Sequence, residues 1–280
     1  MYGYGYGYNF ARPSGVDVVV LSPDTIFSTD LYDWWDFTDN TTLTLSGSRI
    51  DAIDSKASGS TRQLTSSSSN RPQIVSNQVN GLQVANFDGV SEFMQVPSST
   101  ALYNFLHDQS NGGMVIIVFR DIGNTSTTFL IGTNNTSTSD VGFVNVLGSS
   151  GLYNNALLVE KGVIGSSNRV INNNTFVQVY NINKFNTYFS VVDPNNGTAS
   201  DRSTLQLNFG TKYNNNALTN TPSTSNATYN LTICKNSGSN NNYLKGDIAE
   251  IIITTGQPTA LQLTQTQTYL TNKYGTFPIT

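Results

Sequence analysis

The sequence predicts an all-β protein, an antiparallel sandwich with one short C-terminal helix. From Val16 onward, short runs of β-branched and aromatic residues alternate with clusters of Gly, Asn, Asp, Ser and Pro. This is the spacing of strands and turns in a sandwich. Only 11% of the residues are charged, so the surface must consist mostly of neutral hydroxyl and amide groups, which suits short strands and turns.

An N-terminal arm over residues 1–25 is predicted to precede a single domain over residues 26–280. Tyr and Gly alternate over the first eight residues. Gly makes such a segment costly to order, whereas each Tyr offers a broad apolar face and a hydroxyl group. We therefore interpret Tyr2, Tyr4, Tyr6 and Tyr8 as the partner-binding residues of an anchoring arm. The alternative is a flexible terminus without a role.

Short runs of β-branched and aromatic residues predict strands at residues 83–87, 114–119, 128–131, 142–146, 176–180, 187–192, 204–209, 229–234 and 248–254. Exposed loops are predicted at residues 66–70, 134–139, 172–174 and 237–242, where apolar residues are scarce. If the domain binds a ligand, specificity would reside in such loops.

The last element is predicted to be a helix over residues 258–274. Leu263, Leu270 and Tyr274 recur at helical spacing, and Gly275 stands where a helix ends. Thr and Gln occupy the other side, so we expect the Leu and Tyr face to pack on the sandwich.

Composition excludes several partners. A net charge of −4 removes the basic surface that nucleic-acid binding needs.

No window of the sequence approaches the roughly 20 apolar residues of a membrane-spanning helix. The N-terminus does not resemble a secretion signal, so export by the general pathway is not expected. The single cysteine, Cys234, excludes an intramolecular disulfide.

The sequence also predicts that the chain is not an enzyme. Glycanases of sandwich folds place carboxylates at alternate positions of one strand, and no such run occurs. Asp247 and Glu250 are three residues apart, so we expect them on opposite faces of their strand. His107 is the only histidine, which excludes the usual hydrolase triads and, with one cysteine, a zinc site.

No cofactor is expected, although calcium is a weak candidate. Carboxylates in rim loops are typical calcium ligands. The alternative, which we favour, is that these residues are solvated carboxylates shaping turns. The loop-placed candidates are Asp88, Asp121, Asp140, Asp193 and Asp201. Trp34 and Trp35 could present a sugar-stacking face, but neighbouring strand residues point in opposite directions, so at least one belongs to the core.

Several landmarks in the sequence resemble those of bacterial and phage domains of the concanavalin A-like, or laminin G-like, type. They span residues 31–275 and comprise the segments 31–36, 49–50, 54–56, 70–72, 81–89, 244–253 and 269–275. The resemblance implies a jelly roll of two antiparallel sheets. Because this fold hosts lectins, glycanases, adhesion modules and virion proteins, it does not identify a ligand.

The leading hypothesis is a non-catalytic virion surface protein of a bacteriophage, acting as a fibre, decoration protein or adhesin. The arm would bind other virion proteins or copies of itself, and the jelly-roll loops would bind host-surface or other glycans. The alternative is a carbohydrate-binding or adhesion module of a bacterial cell-surface protein. The corresponding locations are the virion surface and the bacterial cell surface.

Overall fold

The computed structural model describes residues 21–123, 127–135, 137, 139–148, 155–162, 169–175, 182–214 and 220–277. The helices in this part of the chain are α1 (Pro23–Phe27) and α2 (Ala260–Tyr274). The strands are β1 (Leu31–Asp36), β2 (Leu43–Ser46), β3 (Arg49–Asp54), β4 (Gln63–Thr65), β5 (Gln73–Val79), β6 (Leu82–Asp88), β7 (Met94–Gln95), β8 (Gly113–Asp121), β9 (Thr128–Gly132), β10 (Val141–Leu147), β11 (Asn155–Lys161), β12 (Arg169–Thr175), β13 (Phe185–Val192), β14 (Ser203–Leu207), β15 (Lys212–Asn214), β16 (Thr232–Ile233) and β17 (Lys245–Thr255).

The strands form two packed antiparallel layers, which confirms the predicted fold class. We call the layer next to α2 the helix-side layer; its strand order is β15, β14, β13, β8, β17. The far edge of β17 pairs with β6 along its first half and with β1 along its second half, and β5 lies beyond β6. The opposite layer runs β12, β11, β10, β9, β16, β7, β4, β3, β2. The two layers join where β3 meets β5.

Alternation along the central strands determines which side chains fill the space between the layers. In β8, Val115, Ile117 and Phe119 belong to the main core between the layers, while the residues between them belong to a second core beneath α2. Both faces of the strand are therefore buried. A buried polar contact crosses the main core, where Asn145 Nδ2 donates to Ser190 Oγ at 2.8 Å.

The predicted C-terminal helix is confirmed, and a capping box begins it. The Thr259 hydroxyl accepts the Gln262 N–H at 3.2 Å, and the Gln262 side chain accepts the Thr259 N–H at 2.8 Å. This arrangement satisfies two N–H groups that a helix start otherwise leaves unpaired. Leu270 and Tyr274 are buried on the sheet as expected, and Gly275 ends the helix with a φ of 86°.

Some strand and loop predictions were wrong. Residues 172–174, expected in a loop, lie within β12 and pair with β11, so their backbone groups are satisfied by the sheet despite the Asn-rich sequence. The strand expected at 229–234 is reduced to Thr232–Ile233, because the Leu231 N–H bonds the Ser99 hydroxyl and Cys234 has a φ of 63°. The strand predicted at 176–180 lies outside the described residues.

The two neighbouring tryptophans are both buried, on opposite faces of β1. Trp35 belongs to the main core and Trp34 to the core beneath α2, so neither offers an open sugar-stacking face. The proposed boundary between arm and domain falls inside α1, whose Ile26 and Phe27 pack into the same core as Trp34. Within the described residues, no helix has the length and apolar character needed to cross a membrane.

Candidate functional site

An open groove lies on the outer face of the helix-side layer, where β13, β14 and β15 extend beyond the cover of α2. It has two adjoining parts, of about 190 Å³ and about 260 Å³. Both parts are lined by Phe189, Gln206, Lys212 and Leu263. The first part adds Val191, Thr204, Gln257 and Pro258, and the second adds Phe209, Ala260, Thr264 and Gln267.

Strand alternation builds the floor of this groove. Tyr188 points into the main core, so its neighbour Phe189 points outward beneath the groove. The chain leaves β14 through two residues with positive φ, Asn208 at 49° and Phe209 at 59°. This turn brings the Phe209 ring against that of Phe189, with centroids 5.0 Å apart in an edge-to-face arrangement. The floor is therefore apolar and fixed by packing.

The rim of the groove is polar, and two of its glutamines are held in place by the backbone. Gln206 Nε2 donates to the Gly210 carbonyl at 2.7 Å, and Gln257 Nε2 donates to the Val192 carbonyl at 2.8 Å. Among the described residues, neither glutamine's Oε1 accepts a hydrogen bond. Both oxygens are therefore fixed acceptors that a ligand hydroxyl can reach.

Lys212 is the charged residue among those that line the groove. It is exposed, and no described residue forms an ion pair with it. The groove thus combines an aromatic and aliphatic floor, amide and hydroxyl groups at the rim, and one cation. Mostly apolar walls with a few placed polar groups are the usual composition of small-molecule sites.

A second polar cluster lies under α2 and is closed to ligands. Lys273 Nζ lies 2.8 Å from Asp36 Oδ2 in β1 and 3.2 Å from Glu250 Oε2 in β17. Tyr269 and Tyr274 donate to Glu250 at 2.7 and 2.6 Å. Burial, together with the charge of Asp36, raises the pKa of Glu250. This cluster fastens the helix to the sheet.

The expectation that Asp247 and Glu250 lie on opposite faces of β17 was wrong. A β-bulge between Ile248 and Glu250 shifts the register against β8. Asp247 bonds Arg120, and Glu250 reaches the core beneath α2, so both carboxylates lie on the outer face. One extra residue reverses the alternation that the sequence argument assumed. Glu250 also lies directly across from Asp36, so β17 and β1 do bring two carboxylates together.

No three of the five calcium candidates come together, and each accepts hydrogen bonds within its own turn. Asp88 Oδ1 accepts three successive N–H groups, from residues 90–92. Asp121 accepts a hydrogen bond from Gly123, Asp140 from Asn135, Asp193 from Asn196 and Asp201 from Ser200. In the part of the chain described, no three His, Cys, Asp or Glu side chains converge. The four tyrosines of the arm lie outside the described residues.

Three of the predicted specificity loops lie at one end of the molecule. Asn70, in loop 66–70, donates to the Ser91 carbonyl at 2.7 Å. Ser237, in loop 237–242, donates to the Gly132 carbonyl at 2.8 Å, and Gly132 precedes loop 134–139. The sequence pattern did not indicate the groove, whose lining comes from segments about 80 residues apart.

The comparisons with known proteins concern the fold. No family model and no curated protein sequence matches the chain. A Trypanosoma rangeli sialidase in complex with sialic acid matches with a TM-score of 0.53 and 10% identity, covering 89% of this chain. An arabinofuranosidase complexed with arabinofuranosyl-α-1,2-xylobiose matches with a TM-score of 0.51 and 12% identity. The match covers 83% of this chain and 52% of the arabinofuranosidase chain. The chain spans about a third of the sialidase, 34% of its length.

A Ruminococcus gnavus sialidase module, CBM40 bound to α2,3-sialyllactose, is also similar. Its TM-score is 0.44 and its identity 14%, with 60% of this chain and 85% of the module covered.

These findings correct the expectation that the chain is not an enzyme. The solved structures that share its fold over most of its length include a sialidase and an arabinofuranosidase. The sequence argument for that expectation rested on the absence of neighbouring carboxylates. That argument considered one strand at a time and so did not cover pairs from neighbouring strands; the one such pair described above, Asp36 and Glu250, is closed to ligands.

Proposed function

We propose that the chain is a glycan-binding domain and that the groove beside α2 is its ligand site. The observation that carries this proposal is the lining of the groove. The partly exposed Phe209 ring, packed on the buried Phe189, suits the apolar face of a sugar ring, and the fixed oxygens of Gln206 and Gln257 suit its hydroxyl groups. At about 190 and 260 Å³, the two parts suit a small ligand of one or two sugar rings.

The fold supports the same proposal. Proteins that share it over most of this chain include a sialidase complexed with sialic acid and an arabinofuranosidase complexed with an arabinoxylan fragment. Sialic acid is the first ligand to try, because its carboxylate would meet the Lys212 ammonium group at the rim. Neutral xylo-oligosaccharides provide the uncharged comparison.

A pair of matched substitutions on α2 tests the proposal. Thr264 lines the groove and Thr268 does not, yet both are exposed and both donate to the carbonyl four residues back at 3.0 Å. Thr264→Trp fills the groove, whereas Thr268→Trp places the same ring one turn further along the helix. We expect isothermal titration with the best-binding glycan to show a loss of about tenfold or more for Thr264→Trp only. Equal binding by both variants would refute the groove as the site.

Of the two biological settings, we favour a carbohydrate-binding module of a bacterial cell-surface protein over a virion protein. The groove and the fold support glycan binding, while the arm that would anchor the chain to a particle lies outside the described residues. Co-sedimentation of the full chain and of a variant lacking residues 1–8 with virus particles and with bacterial cells separates the settings. Arm-dependent binding to particles would restore the virion hypothesis.

A further inference from the structure

A lysine at the loop end of the molecule is buried without an acidic partner. Lys235 follows β16 and is 9% exposed. The positive φ of Cys234, 63°, turns the chain so that the lysine side chain lies over neighbouring loops. Lysine is rarely buried to this degree unless it is paired with a carboxylate. In a chain of net charge −4, such a cation calls for an explanation.

The contacts of the Lys235 ammonium leave part of its bonding capacity unused. Its Nζ lies 3.0 Å from Asn240 Oδ1 and 4.1 Å from the centroid of the Phe93 ring. The hydrogen bond uses one of the three N–H donors, and the ring attracts the charge without replacing a hydrogen-bond acceptor. Among the described residues, no carboxylate oxygen lies within the 4.0 Å of an ion pair. Burial lowers the pKa of Lys235, as expected for a cation that lacks a counter-charge.

Two aromatic rings stand beside this cation. The Phe93 and Tyr243 rings have centroids 6.4 Å apart, with planes inclined at 50°, and both are partly exposed. The Phe93 backbone is held by the predicted loop 66–70, since its N–H donates to the Asn70 carbonyl at 3.1 Å. The exposed amides of Asn240 and Asn241 border the same surface.

We propose that Lys235, Phe93 and Tyr243 form a second ligand site, which binds the carboxylate-bearing ring of an acidic saccharide such as a uronic acid. The ammonium group pairs with the carboxylate through an unused N–H. The two rings contact the apolar face of the sugar, and the amides bond its hydroxyl groups. This site is separate from the groove beside α2 and does not depend on the function proposed for that groove.

Glucose and glucuronate provide the test, because they differ only in the group at C6. The experiment uses the full chain carrying Thr264→Trp, so that the groove is filled. Lys235→Met removes the charge while keeping the length of the side chain, and Lys184→Met, at an exposed lysine, is the matched control. Affinities for glucose, glucuronate and acetate are measured by NMR titration, and the melting temperature of each variant is recorded.

We expect glucuronate to bind about tenfold or more tightly than glucose, as a charge-assisted hydrogen bond predicts. Lys235→Met should remove this preference, and Lys184→Met should keep it. A preference that survives Lys235→Met would overturn the proposal, and so would acetate binding as tightly as glucuronate, since the rings would then contribute nothing. A markedly lower melting temperature for Lys235→Met would also overturn it, because the lysine would then serve the fold.

Discussion

Replacing Lys273 by methionine should loosen the helix that forms one wall of the groove. Lys273 Nζ contacts Asp36, Glu250 and the Tyr269 hydroxyl within 3.2 Å. The side chain of Glu250 is 0% exposed and that of Asp36 is 5% exposed, so without the Lys273 ammonium group Glu250 loses its ion-pair partner in a dry site, while Asp36 keeps only Lys56 among the described cations, at 3.3 Å. Methionine retains the apolar stem, so the change isolates the charge.

The expected loss is about 3 kcal/mol in the free energy of unfolding. Removing one partner of a buried ion pair costs roughly 3–5 kcal/mol, and we take the lower end because the Lys273 side chain is 17% exposed to water. For a chain of this size, each kcal/mol shifts the melting temperature by about 2 °C, so the midpoint should fall by about 6 °C.

The loss should also depend on pH. Glu250 already has its pKa raised above the ordinary value of 4.5, and loss of Lys273 raises it further. Between the unfolded and folded pKa values the folded state binds more protons, so stability falls as pH rises through this window. The defect should therefore be larger at pH 8 than at pH 4.5, because the raised pKa lets folded Glu250 take up a proton as the pH falls.

Urea denaturation of the wild type, Lys273→Met and the exposed-site control Lys184→Met at both pH values checks the reasoning. Adding Glu250→Gln to Lys273→Met should recover part of the lost stability, since the unpaired charge of Glu250 is gone. A loss below about 1 kcal/mol at pH 8, or the same loss at both pH values, would refute the argument that Lys273 neutralises this cluster.

Three further outcomes are expected. Thr259→Ala removes the capping box and should cost about 1 kcal/mol by thermal denaturation; an unchanged midpoint would contradict the role given to the cap. The hydrogen bond from Lys56 lowers the pKa of Asp39 to about 2 from 3.8, so Asp39 stabilises the fold above pH 3.8 and the benefit is lost as pH falls through about 2. Asp39→Asn should therefore cost about 1 kcal/mol at pH 7, after allowance for solvent screening, and progressively less as the pH falls from 3.8 to below about 2, as measured by acid titration of the unfolding free energy. Gly112→Ala would place a Cβ 1.8 Å from a carbonyl oxygen of β13, whereas Gly47→Ala meets nothing within 4 Å at a similar positive φ. In urea denaturation, Gly112→Ala should lower the free energy of unfolding by about 3 kcal/mol or more and Gly47→Ala by about 1 kcal/mol. Equal losses would exclude the steric explanation.

The sequence was sufficient for the elements whose pattern is local. Runs of β-branched and aromatic residues predicted β8, β10, β13 and β17, and the periodic Leu and Tyr residues with Gly275 predicted α2, because each signal lies within one segment. Residues 172–174 misled the prediction, since three asparagines suggest a loop while their backbone groups pair with β11. Pairing with a distant strand overrode the local preference.

The candidate site could not be predicted in the same way. Alternation in β13 and β14 indicates that Phe189 and Gln206 point away from Tyr188, but not that α2 stops short of them and leaves a groove. The carboxylate pair was also hidden, because it depends on a β-bulge in β17 and on the pairing of Asp36 with Glu250. Both features arise from contacts between segments that are far apart in the chain.

The central place of β17 has a consequence for biosynthesis. This strand, Lys245–Thr255, pairs with β1, β6 and β8, which are all made long before it. Until the ribosome has made β17, the edges of β1 and β8 that pair with it have no partner, and unpaired edges invite aggregation. The helix-side layer can therefore close only late in translation, and chains released before residue 245 should accumulate as insoluble material or be degraded.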